Sequence, residues 1–175
     1  MCGFVGFTGL RAEREAILHK MADRIIHRGP DMEGYHLSGD TPQTAVALGF
    51  RRLSIIDLAA GKQPMYNEDG TVVVVFNGEI YNFMQLRTEL QAKGHIFTTH
   101  CDTEVILHGY EEYGTALAAK LRGMFAFVVW DTKTNKMYGA RDIFGIKPFY
   151  YTKTESGELL FGSEIKSLLE HPGFR

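Results

Sequence analysis

The chain opens with Met1-Cys2-Gly3-Phe4-Val5-Gly6, and the cysteine at position two is the residue from which the rest is interpreted. Removal of Met1 would place a thiol and a free α-amine on one residue. An α-amine has a reference pKa of about 7.7–8 and a thiol one of about 8.5. Cys2 could therefore supply both the nucleophile, its thiol, and the base, its α-amine, as in enzymes that use an N-terminal threonine. The alternative, a small apolar residue that opens a strand, is equally consistent with these residues alone.

Composition places the chain among ordinary globular proteins. It has 175 residues, 45% of them hydrophobic and 23% charged, with a formal net charge of −2. This length suits one domain with a buried core. Since basic residues form no long run, we expect no nucleic-acid partner. The start does not resemble a signal peptide, and no apolar run approaches the roughly 18 residues that cross a bilayer, so we expect no membrane contact and a cytoplasmic location.

The chain has seven histidines and two cysteines that could serve as metal ligands. The densest group in the sequence is His95, His100 and Cys101. No C-x-x-C or H-x-x-x-H pair completes a zinc set, so no metal site is predicted. We expect both thiols, Cys2 and Cys101, to be reduced.

Apolar patterning predicts an α+β fold with mainly antiparallel sheets covered by helices. The predicted strands cover residues 2–8, 33–37, 45–50, 71–76, 124–130, 136–140, 147–151 and 158–161. The predicted helices cover residues 12–26, 82–92, 103–113, 115–121 and 163–170.

Asn77-Gly78 follows the β-branched run 71–76, at the predicted end of a buried strand. An Asn side-chain amide and a Gly backbone N–H can point at one oxygen and stabilise an oxyanion. The alternative is a two-residue hairpin turn, which should be followed by a returning strand. Residues 79–83 lead into a predicted helix instead, which weakens the turn interpretation without removing it.

Two further positions carry charges suited to an amino-acid substrate. Arg51 and Arg52 are adjacent at the end of a predicted strand; one is expected to be solvated and the other could clamp a carboxylate. Asp102 precedes a predicted helix, where it could be an N-cap or could hold a substrate ammonium. These residues alone are consistent with either the structural or the functional interpretation. Together with the thiol, however, these groups would suit an amino-acid amide.

The whole chain resembles the glutaminase domain of class II glutamine amidotransferases, the N-terminal-nucleophile type, and within them the branch of glutamine-dependent asparagine synthetases. The matching motifs run in order from residue 1 to about residue 166. They are Met1-Cys2-Gly3, His27-Arg28-Gly29-Pro30-Asp31, Arg52-Leu53-Ser54-Ile55-Ile56-Asp57, Gln63-Pro64-Met65, Asn77-Gly78-Glu79-Ile80-Tyr81-Asn82, Asp102-Thr103-Glu104-Val105-Ile106, Gly123-Met124-Phe125-Ala126-Phe127, Arg141-Asp142 and Gly145-Ile146-Lys147-Pro148. This collinearity is more specific than any one motif.

The resemblance implies a four-layer αββα sandwich of two antiparallel sheets between helices. It also implies hydrolysis of the L-glutamine side-chain amide to glutamate and ammonia by Cys2, with the α-amine of Cys2 moving the proton. The resemblance implies that Asn77 and Gly78 form the oxyanion hole. It implies that Arg52 holds the substrate α-carboxylate and that Asp102 and Glu79 hold the α-ammonium. The backbone of Ile55 and Ile56 would line the site, and Arg28 and Asp31 would support the pocket.

In the resembled family this domain is fused to an ATP-using synthetase domain that accepts the ammonia. We therefore expect residues 1–175 to be the glutaminase domain, with the synthetase domain outside this chain. The glutaminase domain itself is expected to need no cofactor, because ATP and magnesium would serve the synthetase domain. A homodimer is a further possibility that the resemblance raises.

Two other functions compete with this interpretation. One is a catalytically silent module that binds glutamine or another protein with the same fold, although such a module has no need of Cys2. The other is a thiol enzyme in which a histidine serves Cys2 as the base, although no histidine is flanked by a recognisable orienting motif.

Overall fold

The structure of the protein is a computed structural model that describes residues 2–53 and 61–175. The chain forms two compact units. One comprises Met1–Ile56 with Pro148–Arg175, and the other comprises Asp57–Lys147. In the part of the chain that is described, no helix is both long and apolar enough to cross a membrane.

Strands and helices follow one another along the chain. The strands are β1 (Gly3–Thr8), β2 (Met32–Ser38), β3 (Val46–Arg52), β4 (Met65–Tyr66), β5 (Val72–Ile80), β6 (Gly123–Asp131), β7 (Lys136–Arg141), β8 (Tyr150–Lys153) and β9 (Leu159–Gly162). The α-helices are α1 (Arg14–Asp23), α2 (Phe83–Ala92), α3 (Thr103–Tyr113), α4 (Leu117–Lys120) and α5 (Ile165–Leu168). Short 3-10 helices occupy Ile26–Arg28 and Gly114–Ala116.

The first unit is built on a five-stranded antiparallel sheet in the order β2-β3-β1-β9-β8. The central strand β1 is buried from Gly3 to Phe7, because it pairs with a neighbour on each side. Gly6 lets these neighbours approach closely, since a Cβ there would lie 2.6 Å from the carbonyl oxygen of Ala47. Cys2 therefore directly precedes the central strand of this sheet, whose position is fixed by pairing on both sides.

Helix α1 covers one face of this sheet with its apolar side. Leu18 and Met21 are fully buried and pack in one cluster with Val5 and Phe7 of β1. Burying each such side chain contributes about 1.5–3 kcal/mol. This packing fixes β1 and the residue that precedes it.

The second unit is built on a four-stranded antiparallel sheet in the order β4-β5-β6-β7. Residues 72–77 of β5 are all buried, as the run of valines predicts for a strand covered on both faces. Val72, Val74 and Phe76, on one face of β5, share a core cluster with Leu86 and Leu90 of α2 and Ile106 of α3. These two helices are thereby held against the sheet.

The predicted fold class is confirmed: the chain is α+β with two antiparallel sheets. The predicted helix 103–113 matches α3 at both ends. The predicted end of a strand at residue 76 is wrong, because β5 continues to Ile80. Pairing with β6, where Asn77 lies opposite Ala126 and Gly78 opposite Phe125, outweighs the low strand propensity of Asn and Gly.

Candidate active site

In the first unit, Cys2 lies directly before β1 and is half-buried, with a free thiol. Its Sγ contacts the carbonyl oxygen of Leu53 at 3.8 Å, and its own carbonyl oxygen accepts a hydrogen bond of 3.0 Å from Nε of Arg28. The backbone of the predicted nucleophile is thus held by a charged side chain. The thiol is left with a weak contact that a substrate can replace.

Arg28 is itself fixed by Glu164, through a contact of 3.1 Å between Nη1 and Oε1. Burial raises the pKa of Glu164, but hydrogen bonds from His27, Arg28 and Lys166 more than offset it and lower that pKa to about 2. Glu164 is therefore ionised at any working pH. Arg28 contacts the backbone of Cys2, which is the supporting position that the resemblance implies for it.

The adjacent arginines at the end of β3 differ in environment. Arg51 is buried: it pairs with Asp23 and, at 2.5 Å, with Glu33, and its Nε donates to the carbonyl oxygen of Ala22. The idea that Arg51 is the solvated member of the pair is therefore wrong. The reason is alternation along β3, which turns Arg51 toward α1 and places it opposite Glu33 of β2.

Arg52, the predicted carboxylate clamp, is half-buried at the last position of β3. Its Nη1 lies 3.7 Å from Sδ of Met32, a weak acceptor. A guanidinium presents a planar fork of N–H donors, the geometry that binds a carboxylate through two hydrogen bonds.

In the second unit, one edge of β5 carries hydrogen-bonding groups that β4 does not cover. The backbone of Phe76 bonds the side-chain amide of Gln63 in both directions, at 2.6 and 3.1 Å. Four residues further along β5, the N–H of Ile80 donates to Oδ2 of Asp102 at 2.8 Å. Because backbone groups alternate sides along a strand, the N–H of Gly78 points to this same edge.

Asn77 is 3% exposed, and its Nδ2 has no hydrogen-bond partner among the described residues. A buried donor without a partner costs about 1–3 kcal/mol, and such a group is commonly explained by a ligand or by catalysis. The hairpin-turn alternative for Asn77-Gly78 is wrong, because both residues lie within β5. A Cβ on Gly78 would lie 2.2 Å from the carbonyl oxygen of Met124, so close strand pairing requires glycine.

Asp102 stands at the N-terminus of α3, but its side chain forms no capping hydrogen bond. Burial, together with the charge of Glu79, raises its pKa to about 6, although the bond from Ile80 acts in the opposite direction. Glu79 is exposed. The N-cap interpretation is therefore replaced by a pair of neighbouring carboxylates, an arrangement that favours binding of a cation.

The structure thus groups Cys2 with Arg28 in the first unit, and Asn77, Gly78, Glu79 and Asp102 in the second. Ile55 and Ile56, predicted to line the site, lie outside the described residues.

Sequence reasoning gave no role to two residues that shape the second group. Gln63 holds β5 beside Gly78, as described above. Asp142 accepts hydrogen bonds from the backbone N–H groups of Phe125 and Lys147, at 3.1 and 3.0 Å, and so fixes β6 opposite Gly78. Both residues belong to quoted motifs, but a side chain that bonds backbone remote in sequence leaves no local signal.

The chain is similar to a known domain family and to several characterised proteins. The family model described as "Glutamine amidotransferase domain" matches residues 1–175. Asparagine synthetase [glutamine-hydrolyzing] 1 of Bacillus subtilis is 49% identical over 174 residues, covering 97% of this chain and 27% of the relative. Asparagine synthetase [glutamine-hydrolyzing] of Zea mays is 44% identical, covering 96% of this chain and 28% of the relative. The chain therefore spans about a quarter of the length of these relatives.

Two solved structures share the fold. The glutamine phosphoribosylpyrophosphate amidotransferase from B. subtilis has a TM-score of 0.74 at 21% identity, covering 95% of this chain and 43% of its own. The allosteric regulatory enzyme of purine biosynthesis has a TM-score of 0.76 at 20% identity, covering 97% of this chain and 43% of its own. At these identities the likeness shows the fold alone.

Proposed function

Since the chain belongs to the glutamine amidotransferase domain family, we propose that it hydrolyses the side-chain amide of glutamine with Cys2 as the nucleophile. It is homologous to the corresponding part of glutamine-hydrolysing asparagine synthetases. The products are glutamate and ammonia.

In the first step the Cys2 thiol transfers its proton to the α-amine of the same residue, and its sulfur attacks the amide carbon. The α-ammonium returns its proton to the amide nitrogen as the carbon–nitrogen bond breaks, so that the nitrogen leaves as ammonia. Water then adds to the resulting thioester, which releases glutamate and restores the thiol. Support for this role comes from the position of Cys2, whose carbonyl oxygen is held by Arg28 while its thiol makes only a weak contact.

The observation that carries the proposal is the buried side-chain amide of Asn77, whose Nδ2 has no partner among the described residues. Together with the N–H of Gly78 it would bind the oxyanion of the tetrahedral intermediate. Donors fixed before the reaction stabilise such a charge strongly, because they need no reorganisation. The structural cost of leaving Asn77 unpaired is explained if the transition state supplies its acceptor.

The remaining charges would orient the amino-acid end of glutamine. Arg52 takes the α-carboxylate, and Asp102 with Glu79 takes the α-ammonium. The raised pKa of Asp102, about 6, supports this assignment, because a buried carboxylate beside another anion gains most from a bound cation. The backbone of Ile55 and Ile56 completes the lining in this proposal.

The ammonia would pass to a synthetase domain of the full-length protein, as the names of the relatives and their greater length suggest. ATP and magnesium belong to that domain in the proposal, and the glutaminase domain uses no cofactor. A cytoplasmic location and association as a homodimer are extensions of the same proposal; light scattering on a sizing column tests the second.

The test compares the same conservative change at the two cysteines. Cys2→Ser should abolish glutamine-dependent ammonia release. Cys101→Ser should retain it, because Sγ of Cys101 contacts the hydroxyl of Thr99 at 3.0 Å and has no part in the proposed reaction. Each variant should keep the thermal midpoint of the parent. Ammonia release that survives in Cys2→Ser would overturn the mechanism. Glutamine binding in the parent without ammonia release would favour the silent module instead.

A further inference from the structure

A second cluster of polar side chains lies in the unit formed by Asp57–Lys147 and takes no part in the proposed reaction. His95, His108 and Glu111 each direct a ligand atom to one point, with these atoms within 4.8 Å of one another. Oε2 of Glu111 is central: it lies 3.0 Å from Nδ1 of His108 and 3.6 Å from Nδ1 of His95. The histidines grouped by sequence alone were different, because His100 and Cys101 lie outside this cluster.

We propose that His95, His108 and Glu111 form a binding site for a divalent transition-metal ion of the zinc class. Two imidazoles and one carboxylate are a donor set that zinc accepts. With metal–ligand bonds of about 2.0–2.1 Å in a tetrahedron, neighbouring donors lie about 3.3 Å apart. The two distances at Oε2 of Glu111, 3.0 and 3.6 Å, bracket this separation. The three ligand atoms lie within 4.8 Å of one another, so rotation of the imidazoles toward each other would bring all three onto one ion.

The outer partners of the three ligands provide an independent argument. Metal-binding histidines commonly donate their second ring N–H to a carboxylate, which fixes the ring and its tautomer. Nε2 of His95 lies 3.5 Å from Oε2 of Glu112. Nε2 of His108 faces carboxylates of Glu104 and Glu68, at 3.8 and 3.9 Å. Each ring therefore directs one nitrogen to the proposed ion and the other to an anion.

The carboxylate ligand is oriented in the same manner. Oε1 of Glu111 accepts a hydrogen bond of 2.7 Å from Nδ2 of Asn67, which leaves Oε2 to face both imidazoles. All three ligands thus have an ordered partner on the side away from the site. A chance contact between two histidines and one acidic residue would not require this arrangement.

The backbone supports the ligands and leaves access for an ion. His108 and Glu111 are three residues apart on α3, so they lie on one face of the helix. His108 is buried and packs edge-on against Phe97, while the side chains of His95 and Glu111 remain 17% and 25% exposed. The site is rigid on the helix and reachable from solvent.

The local charge also favours a cation. Four carboxylates surround the two imidazoles, and among the described residues the cations near them include Lys93, which pairs with Glu112 at 2.7 Å. These carboxylates would stabilise a bound divalent cation.

The experiment is a calorimetric titration of Zn²⁺ into the metal-free protein at neutral pH. We expect one ion per chain, with affinity reduced at least 100-fold in His95→Gln and in Glu111→Gln. Glu112→Gln should weaken binding by about 10- to 100-fold, as loss of an outer partner does at other metal sites. His100→Gln is the matched control, because His100 is an exposed histidine five residues from His95.

Thiolates are the competing zinc ligands, so the titration is repeated on a chain with Cys2→Ser and Cys101→Ser. Unchanged affinity there supports the histidine site, and lost affinity assigns the zinc to the thiols and overturns the proposal. Thermal unfolding gives a second readout: Zn²⁺ should raise the midpoint of the parent and of His100→Gln but not that of His95→Gln. The proposal would also be overturned if the parent did not bind zinc, or if His95→Gln and Glu111→Gln bound zinc with the affinity of the parent.

Discussion

The carboxylate of Asp102 accepts a hydrogen bond from the backbone N–H of Ile80, with 2.8 Å between Oδ2 and N. This bond ties the start of α3 to the last residue of β5, two residues beyond Gly78. Burial raises the pKa of Asp102 to about 6, and the charge of Glu79 acts in the same direction. The protein therefore carries a carboxylate that changes its charge just below neutral pH.

This carboxylate should shape the pH dependence of glutamine use. If ionised Asp102 holds the substrate ammonium, kcat/KM should rise as pH increases through about 6. Asp102→Asn should raise KM strongly and remove this step from the profile. Steady-state rates from pH 5 to pH 9 would check it. The same step in Asp102→Asn would point to another group, such as a histidine base.

The same shift predicts an effect on folding. The pKa of Asp102 is raised in the folded chain from its ordinary value of 3.8 to about 6, so the folded state binds more protons than the unfolded state between these two pH values. Asp102 therefore contributes stability at low pH that is lost as pH rises through about 6. The difference in unfolding free energy, Asp102→Asn minus parent, should therefore increase between pH 4 and pH 7 by on the order of 1–3 kcal/mol. Urea unfolding of both proteins at each pH measures this difference, and no change in it would contradict the shifted pKa.

The two arginines at the end of β3 should separate binding from stability. Arg52→Ala should raise KM for glutamine by at least about 10-fold, because a charge-assisted hydrogen bond contributes about 1.5–3 kcal/mol. Arg51→Ala should instead lower the unfolding free energy by about 1–3 kcal/mol, because its buried guanidinium pairs with Asp23 and Glu33. Kinetics and urea unfolding of both variants check this. An equal rise in KM for both would show that Arg52 is not the clamp.

These two arginines also illustrate what the sequence could predict and what it could not. Local patterns placed β1 and α3 well, since β-branched runs and helical spacing are short-range signals. Adjacent arginines look alike in sequence, and only the pairing of Arg51 with Glu33 of β2 shows which one turns inward. In the same way, the continuation of β5 through Gly78 depends on β6, and the meeting of His95 with His108 depends on how α3 packs.

The oxyanion hole gives a prediction about turnover rather than binding. Asn77→Ala should lower kcat by about 100- to 1,000-fold with little change in KM, because its amide would act only in the transition state. Asn82→Ala is a matched control, since the amide of Asn82 bonds only backbone of residues 120 and 122 among the described residues. A large rise in KM with unchanged kcat would instead place Asn77 in substrate binding.

The α-amine of Cys2 gives the last prediction. If this amine is the base, activity should rise with a second midpoint at or below about 7.7–8, because burial disfavours the charged ammonium. Retention of Met1 converts the amine into an amide that cannot accept a proton. Protein that retains Met1 should therefore be inactive, and removal of Met1 by an aminopeptidase should restore ammonia release.

A histidine base would tolerate Met1 and give an activity midpoint near about pH 6.5. Because Asp102 also titrates at about 6, that midpoint alone does not identify the base, and the comparison is made in protein whose N-terminus is verified by intact mass. Full activity in protein that retains Met1 would refute the N-terminal nucleophile.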